Sequence, residues 1–225
     1  MKTARLPKRI NIVIVDDHRM FREQLASLIN QSADMKVCAE ADNVQHGFEL
    51  INALRPSIAI VDISLKDSSG LELVKQLRAQ ANDVPVLVLS MHEESLYAER
   101  ALRAGANGYI TKHEASADVM NAVRRVLEGE MYLNPKFMGL MMSKIMAGGN
   151  NRAGGDPVAR LADRELEVFR FIGQGLTTRE IGEKLGVGAT TVDTYRARIK
   201  EKLKLDNVSR LRLEASRWVQ ENGTG

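Results

Sequence analysis

Three acids and one lysine carry the chemistry that can be read first. Asp16 and Asp17 follow the apolar run Ile12-Val13-Ile14-Val15, Asp62 lies in Ile58-Ala59-Ile60-Val61-Asp62-Ile63, and Lys112 comes just after Tyr109-Ile110. If those runs are parallel strands, the four side chains gather at one edge of one sheet, beyond the carboxyl ends of strands, where ligands bind. Carboxylates in such a place suit Mg²⁺, which takes oxygen ligands and keeps several waters. Lys112 offers a point charge for a phosphoryl group, and the Ser90 hydroxyl a further donor. A carboxylate beside a bound cation can attack phosphorus to give an acyl phosphate. Asp62 is the candidate, because Asp16 and Asp17 form the natural metal pair. Any one of these acids alone is better read as part of a solvated loop or a helix cap; it is the joint spacing that points to a site.

The elements that must position these residues follow from the hydrophobic pattern. From Ile10 to about Gly129, apolar runs at Ile10 to Val15, Lys36 to Ala39, Ile58 to Ile63, Val84 to Leu89 and Tyr109-Ile110 alternate with helical patterns such as Met20 to Asn30 and Leu71 to Gln80. That alternation predicts an α/β doubly wound five-stranded parallel sheet covered by helices on both faces. After Glu130 the alternation stops. Asn134-Pro135 opens one more helix through Ile145, and the Gly/Asn-rich run from Ala147 to Pro157 reads as a flexible linker.

Beyond the linker every segment reads as helix: Asp163 to Ile172, a short helix ending at Leu185, Ala189 to Lys204, and about Asn207 to Gln220. Thr177-Thr178-Arg179-Glu180 supplies a capping box for the second of these, and Gly186-Val187-Gly188 is the turn before the third. The expected organisation is a basic tail at 1–9, the α/β domain at 10–130, a helix and linker at 131–157, and a small all-α four-helix domain at 158–225.

Charge follows this division. Residues 158–225 hold 13 Lys+Arg against 10 Asp+Glu, whereas residues 1–157 hold 19 of each, so the net +3 of the chain lies in the last third. A local basic excess suits a phosphate backbone, and so does an ordinary solvated surface. On the helix from Ala189, Val192, Ile199 and Leu203 form an inward stripe. The opposite side carries Thr190, Thr194, Ala197, Arg198 and Glu201, with Asp193 and Lys200 on its flanks. A short helix, a glycine-bearing turn and a longer helix make the pattern of a helix-turn-helix whose second helix enters a major groove. Taken alone, the face also fits a solvated bundle helix.

Other classes are set aside by composition. The single Cys38 allows neither an intramolecular disulfide nor a cysteine metal cluster. No apolar stretch reaches membrane-spanning length, and none of signal-peptide length follows the basic tail, so the expectation is a cytoplasmic protein with no membrane partner. His18 and His92 lack a third His or Cys at metal spacing, which leaves them packing or helix-capping roles.

Residues 10–128 resemble the flavodoxin-like receiver domain of bacterial two-component systems. The resemblance lies in Val15-Asp16-Asp17-His18, in Val61-Asp62-Ile63-Ser64-Leu65 with Gly70 downstream, in Leu89-Ser90-Met91-His92, and in Gly105-Ala106-Asn107-Gly108-Tyr109-Ile110-Thr111-Lys112. Residues 161–218 resemble a LuxR-type helix-turn-helix through Leu161-Ala162-Asp163-Arg164-Glu165-Leu166-Glu167-Val168, Thr178-Arg179-Glu180-Ile181-Gly182, Thr191-Val192-Asp193-Thr194-Tyr195 and Ile199-Lys200-Glu201-Lys202-Leu203. The whole chain is similar to response regulators of the NarL/FixJ type.

The resemblance implies that Asp62 accepts a phosphoryl group from a sensor histidine kinase. It implies that Asp16, Asp17, Asp62 and the Ser64 backbone carbonyl hold Mg²⁺, that Lys112 contacts the phosphate, and that Ser90 and Tyr109 form a switch pair. To the expected DNA face of Thr190, Asp193, Thr194, Ala197, Arg198 and Lys200 it adds Thr178, Thr191 and Lys202. The function implied is phosphorylation-dependent transcription regulation: a receiver that catalyses only its own phosphoryl transfer and hydrolysis, homodimerises when phosphorylated, and promotes binding of double-stranded promoter DNA.

Several positions depart from the family pattern. Lys66 stands where many receivers carry Pro, Leu65 where Met is frequent, and Met91 where a small residue is favoured. In the reader, Gly188 replaces a frequent Ser cap, Asp193 a common Lys, and Val208 a usual Arg. None of these removes a reacting group; they bear on rate, lifetime and DNA preference. Two rival functions follow from the same residues. One is an Mg²⁺-dependent phosphatase of small substrates, which lacks a second acid beside Asp62 to serve as general acid. The other is a constitutive DNA binder whose receiver is only a dimer scaffold.

Overall fold

Strands β1 (Ile10–Val15), β2 (Met35–Ala41), β3 (Ile58–Asp62), β4 (Val86–Ser90) and β5 (Gly108–Thr111) pair in parallel, in the order β2-β1-β3-β4-β5. The computed structural model describes residues 9–65, 68–91, 95–146 and 157–222. The basic tail up to residue 8, Lys66, His92 and the Gly/Asn-rich stretch 147–156 lie outside the described residues. Helices α1 (Arg19–Asn30), α2 (Val44–Leu54), α3 (Gly70–Ala79), α4 (Ser95–Ala104) and α5 (Lys112–Leu127) connect the strands. This is the doubly wound order in which the connections change direction beside β1, so that the ends of β1 and β3 border the crevice where such sheets bind ligands.

Because β1, β3 and β4 are central strands, successive side chains alternate between two covered faces, and apart from polar residues near the strand ends they are apolar. Ile12, Ile14, Ile58, Ile60, Leu87, Leu89 and Ile110 pack against Leu25, Ile29, Val119 and Val123 of α1 and α5. The alternate residues, among them Val13, Val15, Val61 and Val88, are buried on the other face, where α2 and α3 pack together and α2 packs onto β1. Strand β4 starts later than its apolar run suggests. Pro85 has no N–H for the ladder, and the Val84 carbonyl is taken by the Arg78 guanidinium at 3.0 Å.

The free edge of β5 does not stay bare. The chain after α5 returns beside it: the Tyr109 amide donates to the Tyr132 carbonyl at 2.8 Å, and the Tyr132 amide to the Asn107 carbonyl at 3.2 Å. The Tyr132 hydroxyl then donates to Asp118 of α5 at 2.7 Å. Asn134 bonds Glu114, itself the second half of the Thr111 capping box that opens α5. These bonds give the exposed edge partners and bind the exit segment to both β5 and α5.

The chain divides into two compact units, Met1–His92 with Ala98–Asn134, and Glu93–Tyr97 with Pro135–Gly225. The second unit contains α6 (Pro135–Met146), a 3-10 turn at Pro157–Arg160, and helices α7 (Asp163–Gly173), α8 (Thr178–Leu185), α9 (Ala189–Leu203) and α10 (Val208–Asn222). Helices α7 and α10 pack closely, with the Phe169 and Trp218 ring centroids 6.0 Å apart. The expected capping box of α8 is present: the Thr177 hydroxyl accepts from the Glu180 amide at 3.3 Å, and the Glu180 carboxylate accepts from the Thr177 amide at 2.7 Å. A Cβ on Gly182 would lie 2.7 Å from the Val187 carbonyl oxygen, so glycine lets the turn pass close to α8 and sets the angle between α8 and α9.

Candidate functional site

Asp16, Asp17, Asp62 and Lys112 converge as their spacing requires. Asp16 follows the last residue of β1, Asp62 ends β3, and Lys112 follows the last residue of β5. The Lys112 ammonium, itself buried, lies 2.7 Å from Asp16 Oδ2 and 2.8 Å from Asp62 Oδ2. It also sits 4.6 Å above the centre of the Phe21 ring, an aromatic contact of α1 that no motif announced. Burial works against the ammonium charge, but the Asp62 and Asp16 carboxylates together hold Lys112 above its ordinary pKa. Asp16 is pushed up, chiefly by burial and next by the charge of Asp62, with Lys112 pulling the other way. The site is thus held together by one cation among acids that repel one another.

One oxygen of Asp62 is different. Oδ1 is buried and has no hydrogen-bond partner among the described residues, a costly state for a carboxylate oxygen. Ligand atoms from Asp16, Asp17, His18 and Asp62 lie within 4.8 Å of one another. This acidic pocket, with hard oxygen donors and an unsatisfied buried acceptor, fits a small divalent cation.

The expectation for His18 needs correcting. It occupies the N-cap position of α1 but makes no side-chain cap, because the ring is turned to the acids: Nδ1 lies 2.9 Å from Asp17 Oδ1 and 3.8 Å from Asp62 Oδ2. Asp62 foremost, with Asp17 and Asp16, raises the ring's pKa against the opposing effects of burial and Lys112. Arg22 adds another unforeseen tie, donating to the Asp16 carbonyl while pairing with Glu40 at 3.0 Å. His18 lies beside Asp17 in sequence, but the turn of its ring toward Asp62 and the tie of Arg22 to Asp16 and Glu40 leave no trace in the spacing.

The loop after Asp62 folds back on the strand. Ser64 bridges to Ser69, and the Gly70 amide donates to the Ile63 carbonyl at 2.8 Å. A Cβ on Gly70 would fall 1.9 Å from the Asp62 carbonyl oxygen, so only glycine allows α3 to begin against the backbone of Asp62. Ser90 ends β4 and is buried. Tyr109 is wholly buried and lies in register with Val88. Leu87, Leu89 and Ile110 point to the α1/α5 side, so strand alternation puts Ser90 and Tyr109 together on the opposite face of neighbouring strands.

In the second unit, Val192 and Ile199 are fully buried, as the inward stripe of α9 requires. Thr190, Thr191, Asp193, Thr194, Ala197 and Arg198 are exposed, and Lys200 is partly so. Thr178 is partly buried and Lys202 is exposed, and each has a partner within the fold. The Thr178 hydroxyl accepts from Arg196, and Lys202 Nζ pairs with Glu165 of α7 at 2.6 Å. Gly188 caps α9 without a side-chain bond, as expected of glycine in that place.

Residues 12–124 match the family model described as response regulator receiver domain, and residues 159–215 match bacterial regulatory proteins, luxR family. The chain is 31% identical over 213 residues, 93% of this chain and 94% of the relative, to the nitrate/nitrite response regulator protein NarL of Escherichia coli strain K12. The chain belongs to the NarL/FixJ-type response regulators. Oxygen regulatory protein NreC of Staphylococcus carnosus is another relative, 31% identical over 199 residues, covering 87% of this chain and 92% of that one. Among solved structures, a LuxR-family two-component response regulator from Aurantimonas sp. matches 62% of this chain and 99% of its own, at 28% identity and a TM-score of 0.58. A receiver joined to a LuxR-type DNA-binding domain makes this response regulator a phosphorylation-dependent transcription regulator. No helix among the described residues is long and apolar enough to cross a membrane.

Proposed function

We propose that Asp62 is the phosphoacceptor, and that its phosphorylation by a sensor histidine kinase drives homodimerisation and promoter binding in the cytoplasm. The observation that carries this reading is the state of Asp62: one oxygen held by Lys112 at 2.8 Å, the other buried without a hydrogen-bond partner among the described residues, beside two more carboxylates. In the transfer, an Asp62 oxygen forms the new bond to phosphorus as the bond from phosphorus to the kinase histidine nitrogen breaks. Lys112 then moves its charge from two carboxylates to the phosphoryl oxygens. Asp16, Asp17, Asp62 and the Ser64 carbonyl would hold Mg²⁺, which when bound neutralises charge on the phosphoryl oxygens.

The buried Ser90 hydroxyl, on the same sheet face as Tyr109, would follow the phosphoryl group and free space for the Tyr109 ring to move. The backbone bond from Tyr109 to Tyr132 supports a route outward, because the exit segment would shift with β5 and it leads directly into α6. We place the receiver at 10–130, the connecting helix and linker at 131–157, and the reader at 158–225. The exposed face of α9 from Thr190 to Lys200 would meet DNA. Joining two readers through their receivers raises effective concentration at paired half-sites without adding a base contact.

Incubation with acetyl phosphate and Mg²⁺, read by intact mass, tests the acceptor. One phosphoryl equivalent that Asp62→Asn abolishes supports it; repeated turnover of varied phosphate esters by the unaltered chain contradicts it.

A further inference from the structure

We infer that Lys202 is a positioning residue of the DNA reader, which acts through buried Glu165 to set α9 against α7, and that it does not contact a DNA phosphate. Glu165 is only 3% exposed, although glutamate is almost never buried without a partner. Its Oε2 accepts two bonds: the Ala162 amide at 2.8 Å, at the N-terminus of α7, and Lys202 Nζ at 2.6 Å, in the last turn of α9. Ala162 has no capping oxygen of its own, so Glu165 serves both the helix start and the distant lysine.

The position on the helix agrees. At 3.6 residues per turn, Lys202 lies about 60° around α9 from the buried Ile199, on the flank of the inward stripe rather than at its opposite. Arg196, about 60° to the other side of Ile199, is likewise turned inward, to Thr178 of α8 and Asp193 of its own helix. One cation on each flank thus ties the reading helix to a neighbour, and Arg198 is left on the exposed side. Removing Lys202 would leave the Glu165 carboxylate buried without its cation, and tilting α9 toward solvent is the simplest relief. A small tilt moves Thr190 and Thr194, at the far end of the helix, relative to a groove.

The inference rests on the reading of α9 as the groove helix, and the test separates the two. Full-length protein treated with acetyl phosphate is titrated over a salt series with a duplex selected by the unaltered protein from a random-sequence pool. Lys202→Met and Glu165→Gln are each expected to weaken binding on the order of tenfold, the value of one charged hydrogen bond. The double variant should be no weaker than the worse single one, the salt slope should be unchanged, and Lys202→Arg should restore affinity.

A slope reduced by about 0.9 in Lys202→Met, with Glu165→Gln binding normally, would make Lys202 a phosphate contact and overturn the inference. Lowered thermal midpoints with unaltered DNA affinity would also overturn it, because the pair would then hold the fold and not the reading geometry. If Lys202→Met does not fold, Glu165→Asp, which withdraws the carboxylate by one methylene, must still lower affinity at constant slope. Should Arg198→Ala leave both affinity and slope unchanged, the groove face itself is misplaced, while non-additivity of the Glu165 and Lys202 variants still stands as the measure of positioning.

Discussion

The acid site and the reading face of α9 are both made of charged and polar side chains, yet they obey opposite rules. At the sheet edge, Asp16, Asp62 and Lys112 are buried at 0%, 1% and 5% exposure, and each charge is compensated by one of the others. On α9, Thr190, Thr194 and Arg198 face solvent, and their arrangement comes from the helix period, with the Thr194 hydroxyl donating to the Thr190 carbonyl at 3.0 Å. A buried charge network has little tolerance, since low dielectric strengthens both the pairing and the penalty for breaking it. An exposed face tolerates substitution in the free protein and reveals its cost only against a partner. The receiver site should therefore report mutations as stability and chemistry, the reader face as affinity alone.

That contrast can be broken most severely at Asp62. Asp62→Asn keeps the shape and a hydrogen-bond acceptor for Lys112 but removes the nucleophile, so phosphoryl incorporation from acetyl phosphate should vanish by mass spectrometry. Retained incorporation would move the acceptor to another acid. Next in size is Lys112→Met, which leaves Asp16 and Asp62 facing each other without their cation. A loss of about 3–5 kcal/mol in chemical denaturation is expected, as for any buried pair deprived of one member. Millimolar Mg²⁺ should recover part of it by binding the native state. Stability equal to the wild type would mean that the three side chains are less coupled than their distances state.

Gly70→Ala probes the backbone of the same site. The clash with the Asp62 carbonyl should cost about 3 kcal/mol, the upper end of overpacking, and slow phosphorylation as well. A variant with unchanged stability and rate would show that α3 can slide away freely. The smallest effect belongs to the reader face: Arg198→Ala should leave thermal stability unaltered, reduce binding by roughly 1 kcal/mol, and lower the salt slope by about 0.9. A shifted melting point would place Arg198 among the structural residues and blur the distinction between the two regions.

The same distinction explains what could be read from sequence. The five strands, the reader helices, and the convergence of Asp16, Asp17, Asp62 and Lys112 follow from apolar runs ending in acids, because a doubly wound sheet has one edge at which strand ends meet. The inward stripe of α9 was legible for a similar reason, since Val192 and Ile199 keep the helix period. What spacing does not reveal depends on pairing across the fold. Lys202 belongs to the basic run of α9 by sequence, but its partner Glu165 stands 37 positions earlier. His18 reads as a helix cap, but its ring answers to acids from two strands. The return of Tyr132 to the edge of β5 leaves no periodic trace at all, because two backbone bonds and one hydroxyl fix it.

One proposed link joins the two regions: the charge state of Asp62 sets the affinity of the reader for DNA. It is tested most directly by titrating full-length protein against duplex DNA with and without acetyl phosphate and Mg²⁺, for the wild type and for Asp62→Asn. The donor is expected to tighten binding by the wild type and to leave Asp62→Asn unaffected. Equal affinity of the wild type with and without donor, or an equal gain in Asp62→Asn, would contradict it.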